Sequence, residues 1–68
     1  MNMIEIMGKE YLTDKEASQR YGYSQSWFRR ARAQDFGPRF VQIKEHGRVI
    51  YPLDETDKWF QDRIKERD

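Results

Sequence analysis

Groups able to do covalent chemistry are few in this 68-residue chain, which holds one histidine and no cysteine. His46 has no second histidine or thiolate to join it, so no metal site is expected. There is no Gly-rich phosphate loop and no nucleophile–base set. Asp54, Glu55 and Asp57 form a carboxylate cluster, but they stand at the start of a predicted helix, where acids meet the positive end of the helix dipole. No enzyme activity, cofactor or metal is therefore expected. What the chain does hold is guanidinium. In YGYSQSWFRRARAQ (residues 21–34), Arg29, Arg30 and Arg32 follow Trp27 and Phe28. Arginine can make two hydrogen bonds to a guanine edge, glutamine two to an adenine edge, and serine one to a base or a phosphate. The same charges on a helix also suit a plain solvated face, so the elements that carry them must decide.

The net charge is only +1, yet it is lopsided. Arg20, Arg29, Arg30, Arg32, Arg39, Lys44 and Arg48 stand against Asp35 and Glu45 in residues 20–48, while residues 1–19 and 49–68 are each net acidic. A basic middle of this kind can steer a polyanion even when the total is near neutral. The length implies one small domain, in which folding hides roughly 60% of the surface of the open chain. With no disulfide available, the core must come from four Phe, four Tyr and two Trp. No apolar run approaches the roughly 20 residues of a membrane span, and MNMIEIMGKE lacks the basic start and long apolar centre of a secretory signal. A soluble, cytoplasmic protein is expected.

Thr13-Asp14-Lys15-Glu16 has the capping-box form, so a first helix is predicted from Thr13 to Gly22, with Ala17 and Tyr21 on one face. Ser24 is a good N-cap for a second helix over residues 25–34. At 100° per residue, Trp27, Phe28 and Ala31 share one apolar arc, with Arg32 at one edge and Trp27 at the other. Gln25, Ser26, Arg29, Arg30 and Ala33 face away. Packing is the more frequent role for Trp27, and insertion between bases is the other. Arg32 is the arginine best placed to lay its stem over the core.

Gly37-Pro38 breaks the helix. RFVQI and RVIY then flank KEHG, which predicts a β-hairpin, with Val41 and Ile43 matched to Val49 and Tyr51 and with Gln42, Arg48 and Ile50 on the other side. A last helix follows, with Asp54 as N-cap, Thr56, Trp59, Phe60 and Ile64 inward, and Lys58 and Asp62 spaced as an exposed pair. The final KERD is expected to fray. MIEIM alternates weakly, and a loose arm is expected over residues 1–10. The fold class is then α+β, with residues 11–68 ordered helix, helix, β-hairpin, helix. Two short helices joined by a tight glycine turn make a helix-turn-helix, whose second helix can lie in a DNA major groove. Lys44, His46 and Arg48, in or beside the hairpin turn, can reach a minor groove or the flanking backbone.

The ordered motifs resemble the excisionase and AlpA-type winged helix-turn-helix proteins, relatives of the MerR DNA-binding domain. The resemblance covers residues 11–60. It lies in Leu12-Thr13-Asp14-Lys15-Glu16-Ala17, Gly22-Tyr23-Ser24, Gly37-Pro38-Arg39-Phe40, and the closing Tyr51, Asp54 and Trp59. It implies a DNA-binding protein of a phage, integrative element or genomic island. Such a protein acts as an excisionase that directs an integrase, as a transcriptional regulator, or as both. A monomer in solution that assembles cooperatively on double-stranded DNA is expected, with a cognate integrase as a further partner. The family's recognition-helix contacts map onto Gln25, Ser26, Arg29 and Arg30, and its wing contacts onto Lys44, His46 and Arg48. Trp27 stands where the family has a small Thr or Ser, which makes that helix edge bulkier. Arg29 replaces a frequent aromatic, and Thr56 fills a slot that is often Leu or Val. A rival reading keeps the fold but docks it on an acidic protein surface, with Trp27 and Phe40 as anchors.

Overall fold

The computed structural model describes residues 3–45 and 47–64. His46 and the last four residues, where fraying was expected, lie outside the described residues. The chain is a small α+β domain. Its described elements are β1 (Ile4–Ile6), β2 (Lys9–Leu12), α1 (Asp14–Tyr21), α2 (Gln25–Ala33), β3 (Val41–Gln42), β4 (Val49–Pro52) and α3 (Leu53–Arg63). The strands form one antiparallel sheet in the order β1-β2-β4-β3.

The helix boundaries follow local chemistry. Thr13 Oγ1 accepts from the backbone N–H of Glu16 at 3.2 Å, and Glu16 Oε1 accepts from that of Thr13 at 2.9 Å, completing the capping box. Gly22 closes α1 in the left-handed conformation, and its N–H bonds the Ser18 carbonyl. Ser24 Oγ accepts from the Trp27 N–H at 3.0 Å and starts α2 two residues later. The connection is therefore short, and α1 and α2 pack as neighbours. Beyond α2, Asp35 takes a left-handed φ of 58° and the Phe36 N–H reaches back to the Ala31 carbonyl at 2.8 Å.

Three expectations are corrected. The loose arm over residues 1–10 is instead a hairpin: β1 and β2 pair, with Glu5 opposite Glu10 and Ile6 opposite Lys9. Its two-residue turn, Met7-Gly8, has positive φ at both positions, as a tight hairpin demands. Short strands of weak alternation carry little local signal; β2 is held by β4, through Tyr11 opposite Pro52 and Leu12 opposite Tyr51. Second, the faces of the later hairpin are matched differently. Val41 lies opposite Ile50 and Gln42 opposite Val49. Ile50 is fully buried, Tyr51 on the other face is 1% exposed, and Ile43 is exposed. Because β4 sits between two strands and is covered on both sides, Val-Ile-Tyr reads as a continuous apolar run, as buried strands do. Third, Asp54 does not cap α3. Pro52 stands at the N-cap with no side-chain bond, Asp54 and Glu55 lie in the first turn, and Ile64 is outside the helix and exposed.

The main core joins Leu12, Ala17, Phe28, Tyr51 and Phe60, with Tyr21, Trp27, Leu53 and Trp59 packed around it. Thr56 is fully buried and, among the described residues, its hydroxyl has no partner. Ion pairs tie the outer ends together: Arg20 forks onto Asp57 at 2.9 and 2.8 Å, linking α1 to α3, and the Tyr21 hydroxyl donates to the same carboxylate. The pair expected between Lys58 and Asp62 is present at 3.6 Å. Among the described residues, no helix is long and apolar enough to cross a membrane.

Candidate nucleic-acid interface

The outer face of α2 is open. Gln25, Ser26, Arg29 and Arg30 are all exposed, while Phe28 and Ala31 are buried behind them. Gln25 and Arg29 are four residues apart, so they continue one ridge along the helix. The Arg29 Nη2 donates to Ser26 Oγ at 3.3 Å, a weak contact that leaves the rest of the guanidinium available.

The hairpin tip is built by a tight turn. The Gly47 N–H donates to the Lys44 carbonyl at 2.7 Å, and Gln42 Nε2 donates to the Gly47 carbonyl at 3.0 Å. A Cβ at position 47 would lie 2.8 Å from the Lys44 carbonyl oxygen, which real structures do not tolerate, so this turn requires glycine. Lys44 and Arg48, at its two ends, are exposed.

Helix and hairpin meet at an open groove of about 590 Å³. Gln25 borders it from α2, Thr13 and Lys15 from the start of α1, and Gly47 and Arg48 from the hairpin. The predicted contacts of the second helix and of the hairpin thus reach one surface through Gln25 and Arg48. Arg29, one turn along α2 from Gln25, and Ser26 do not line the groove themselves. Arg30 lies 100° further round α2 and does not line the groove, nor does Lys44.

Arg32 holds the groove in shape. Its guanidinium donates to both Asp14 oxygens, at 2.8 and 3.2 Å, and to the Tyr51 hydroxyl at 2.5 Å. It also lies over the rings of Phe40 and Tyr51. One side chain therefore joins α1, α2 and β4. Burial opposes its charge, but the bonds to Asp14 and Tyr51 outweigh that and raise its pKa. The expected structural role for Arg32 matches this placement.

The charge pattern separates two sets of cations. Arg20, Arg32 and Arg39 each pair with a carboxylate, Asp57, Asp14 and Glu55 respectively. Among the described residues, no carboxylate pairs with Lys15, Arg29, Arg30, Lys44 or Arg48. These five lie in the groove, on the outer face of α2 and at the hairpin tip, and Lys9 and Arg63, elsewhere on the molecule, are likewise without a carboxylate partner among the described residues.

Trp27 is not part of that face. It stacks on Tyr23, with ring centroids 4.6 Å apart, and meets Phe28, Phe36, Trp59 and Phe60. Of the predicted site residues it is the one drawn to the aromatic side. Phe40, the other anchor of the rival reading, meets Tyr51 edge-on and is 41% exposed. Lys15 was missed from sequence. It sits inside the capping box of α1, and no local pattern reveals that the start of α1 lies beside the hairpin tip.

No family model, no curated protein and no solved structure matches this chain. The reading of function therefore rests on the chain's own geometry and chemistry.

Proposed function

We propose that this chain is a sequence-specific DNA-binding protein of the winged helix-turn-helix class. In this reading α2 enters the major groove, where Gln25, Ser26, Arg29 and Arg30 meet base edges and phosphates. The β3–β4 hairpin is the wing, and Lys44 and Arg48 grip the adjacent backbone, with Lys15 added at the groove. The observation that supports this most directly is that Gln25 and Arg48 border one groove, near cations that no carboxylate neutralises among the described residues. Unpaired cations on one surface release counterions when phosphates replace them, which is the main sequence-independent term in DNA affinity. No enzyme activity is part of this proposal. At finer grain, the resemblance of residues 11–60 makes it an excisionase or AlpA-like regulator of a mobile element, with DNA and a cognate integrase as partners.

Binding to labelled duplex, followed by fluorescence anisotropy as salt rises, tests it. Random duplex should bind at low salt with a steep negative slope. Arg29→Ala should weaken a selected site by about 1–3 kcal/mol and relax its sequence preference, while Lys44→Ala and Arg48→Ala should each lower the salt slope by about 1 for every sequence. Absence of duplex binding at low salt would sink the proposal and favour the protein-docking rival.

A further inference from the structure

The hairpin that replaces the expected arm ends in an unusual residue. Met7 is 98% exposed and has a φ of 52°. The turn position it fills favours Asn, Asp or Gly, because only these accept positive φ readily. Neither turn chemistry nor burial accounts for a large apolar side chain there. Just below the tip, Glu5 and Glu10 are directly opposite each other across β1 and β2, a like-charge pair that weakens a hairpin unless a cation answers it. Glu5, Glu10, Asp54 and Glu55 border one groove of about 310 Å³ with a single cation, Lys9, so acids outnumber bases beside the tip.

Elsewhere on the molecule is a surface of opposite character. Both tryptophans of the chain, Trp27 and Trp59, line an open groove of about 350 Å³ with Tyr23, Phe36 and Ile64. Phe36 is 55% exposed and Tyr23 47%. Among the described residues no acidic residue lines the groove, and the one formal charge there is Arg63, whose guanidinium lies 4.2 Å from the centroid of the Trp59 ring. Among the described residues no carboxylate pairs with Arg63. Aromatic patches of this kind, rimmed by arginine, are typical of contact surfaces.

We propose that the aromatic groove receives the Met7 hairpin tip of a second copy of this chain. The thioether lies against Trp27, Trp59 and Phe36, a favourable sulfur–aromatic contact, and Arg63 answers the Glu5–Glu10 pair beside the tip. Plug and socket are different surfaces, so the contact is heterologous. It is also small, below the size of standard stable interfaces, and so the association is weak. The groove opens on the side of α2 away from Arg29, with Arg30 about 60° from Trp27 at its edge.

Both tryptophans report on the groove, so emission and sedimentation can be followed together as the full chain is raised from about 10 μM to about 1 mM, a range chosen for weak association. The weight-average mass should rise, with a blue shift of the emission. Met7→Ser and Phe36→Ala should each weaken association at least tenfold while leaving thermal unfolding and duplex binding near those of the parent. Arg63→Glu should abolish it, and mixing Arg63→Glu with a Glu5→Lys, Glu10→Lys partner should restore it. A chain that stays monomeric at the highest concentration overturns the proposal. So does association that survives Met7→Ser, or a charge swap that fails to rescue.

Discussion

Arg32 offers the sharpest test of how the groove is built. Its side chain is 17% exposed and that of Asp14 22%, so solvent screens their pairing only in part. Arg32→Met keeps the aliphatic stem and removes the three hydrogen bonds to Asp14 and Tyr51. A hydrogen bond to a charged group contributes about 1.5–3 kcal/mol, and bonds sharing one guanidinium do not add in full. A loss of about 2–3 kcal/mol is expected. For a domain of this size each kcal/mol moves the midpoint by about 4–8 °C, so Tm should fall by about 8–24 °C. Removing Asp14 alone acts through the same bonds, so a cycle combining Arg32→Met and Asp14→Asn should show about 1–2 kcal/mol of coupling. Thermal and urea unfolding of the four proteins measures it. Coupling below about 0.5 kcal/mol, the lower bound for groups in contact, would refute the view that this pair ties α1 to α2. On the DNA proposal, Arg32→Met should also lower affinity without changing the salt slope, because Arg32 shapes the surface and does not neutralise a phosphate.

Thr56→Val should stabilise the domain by about 1–2 kcal/mol, since it replaces a buried hydroxyl without a partner by a methyl group of the same shape; an unchanged or lower Tm would show that the hydroxyl is satisfied. The bonds from Arg20 hold the Asp57 carboxyl below its usual range, against the opposing effect of burial, with the Tyr21 hydroxyl assisting. A depressed carboxyl contributes stability above its unfolded pKa of about 3.9 and loses it as pH falls toward the folded value. Tm should therefore drop below about pH 4, and Asp57→Asn should flatten that acid limb. Tyr21 behaves in the opposite sense. Burial, then the Asp57 bond, raises its pKa well above 10, so its contribution is complete below about pH 10 and declines above it. Tyr21→Phe should remove that part of the alkaline loss in a pH series of Tm.

Much of this fold was legible residue by residue, wherever a signal is local. Thr13 with Glu16, Gly22, and Ser24 with Trp27 are contacts within one turn of chain, and each bounds its helix where expected. The split between Phe28 and Ala31 inward and Arg29 and Arg30 outward follows from the helical period alone. Other features needed partners distant along the chain. β1 and β2 have too little alternation to announce themselves, and β2 is held by β4, about 40 residues away. Ile50, expected on the side of Gln42 and Arg48, is buried because β4 lies between two strands, and Ile64, expected inward, is exposed because α3 ends before it. The same division runs through the candidate interface. The residue types and the exposed arginines of α2 could be read from order and spacing. That Lys15, Gln25 and Arg48 border one groove could not, because Arg32 assembles it by bonding to side chains 18 and 19 positions away. Short-range hydrogen bonding and periodicity are properties of consecutive residues, whereas the burial of a strand on both faces and the meeting of three elements at one guanidinium exist only once the chain has closed on itself.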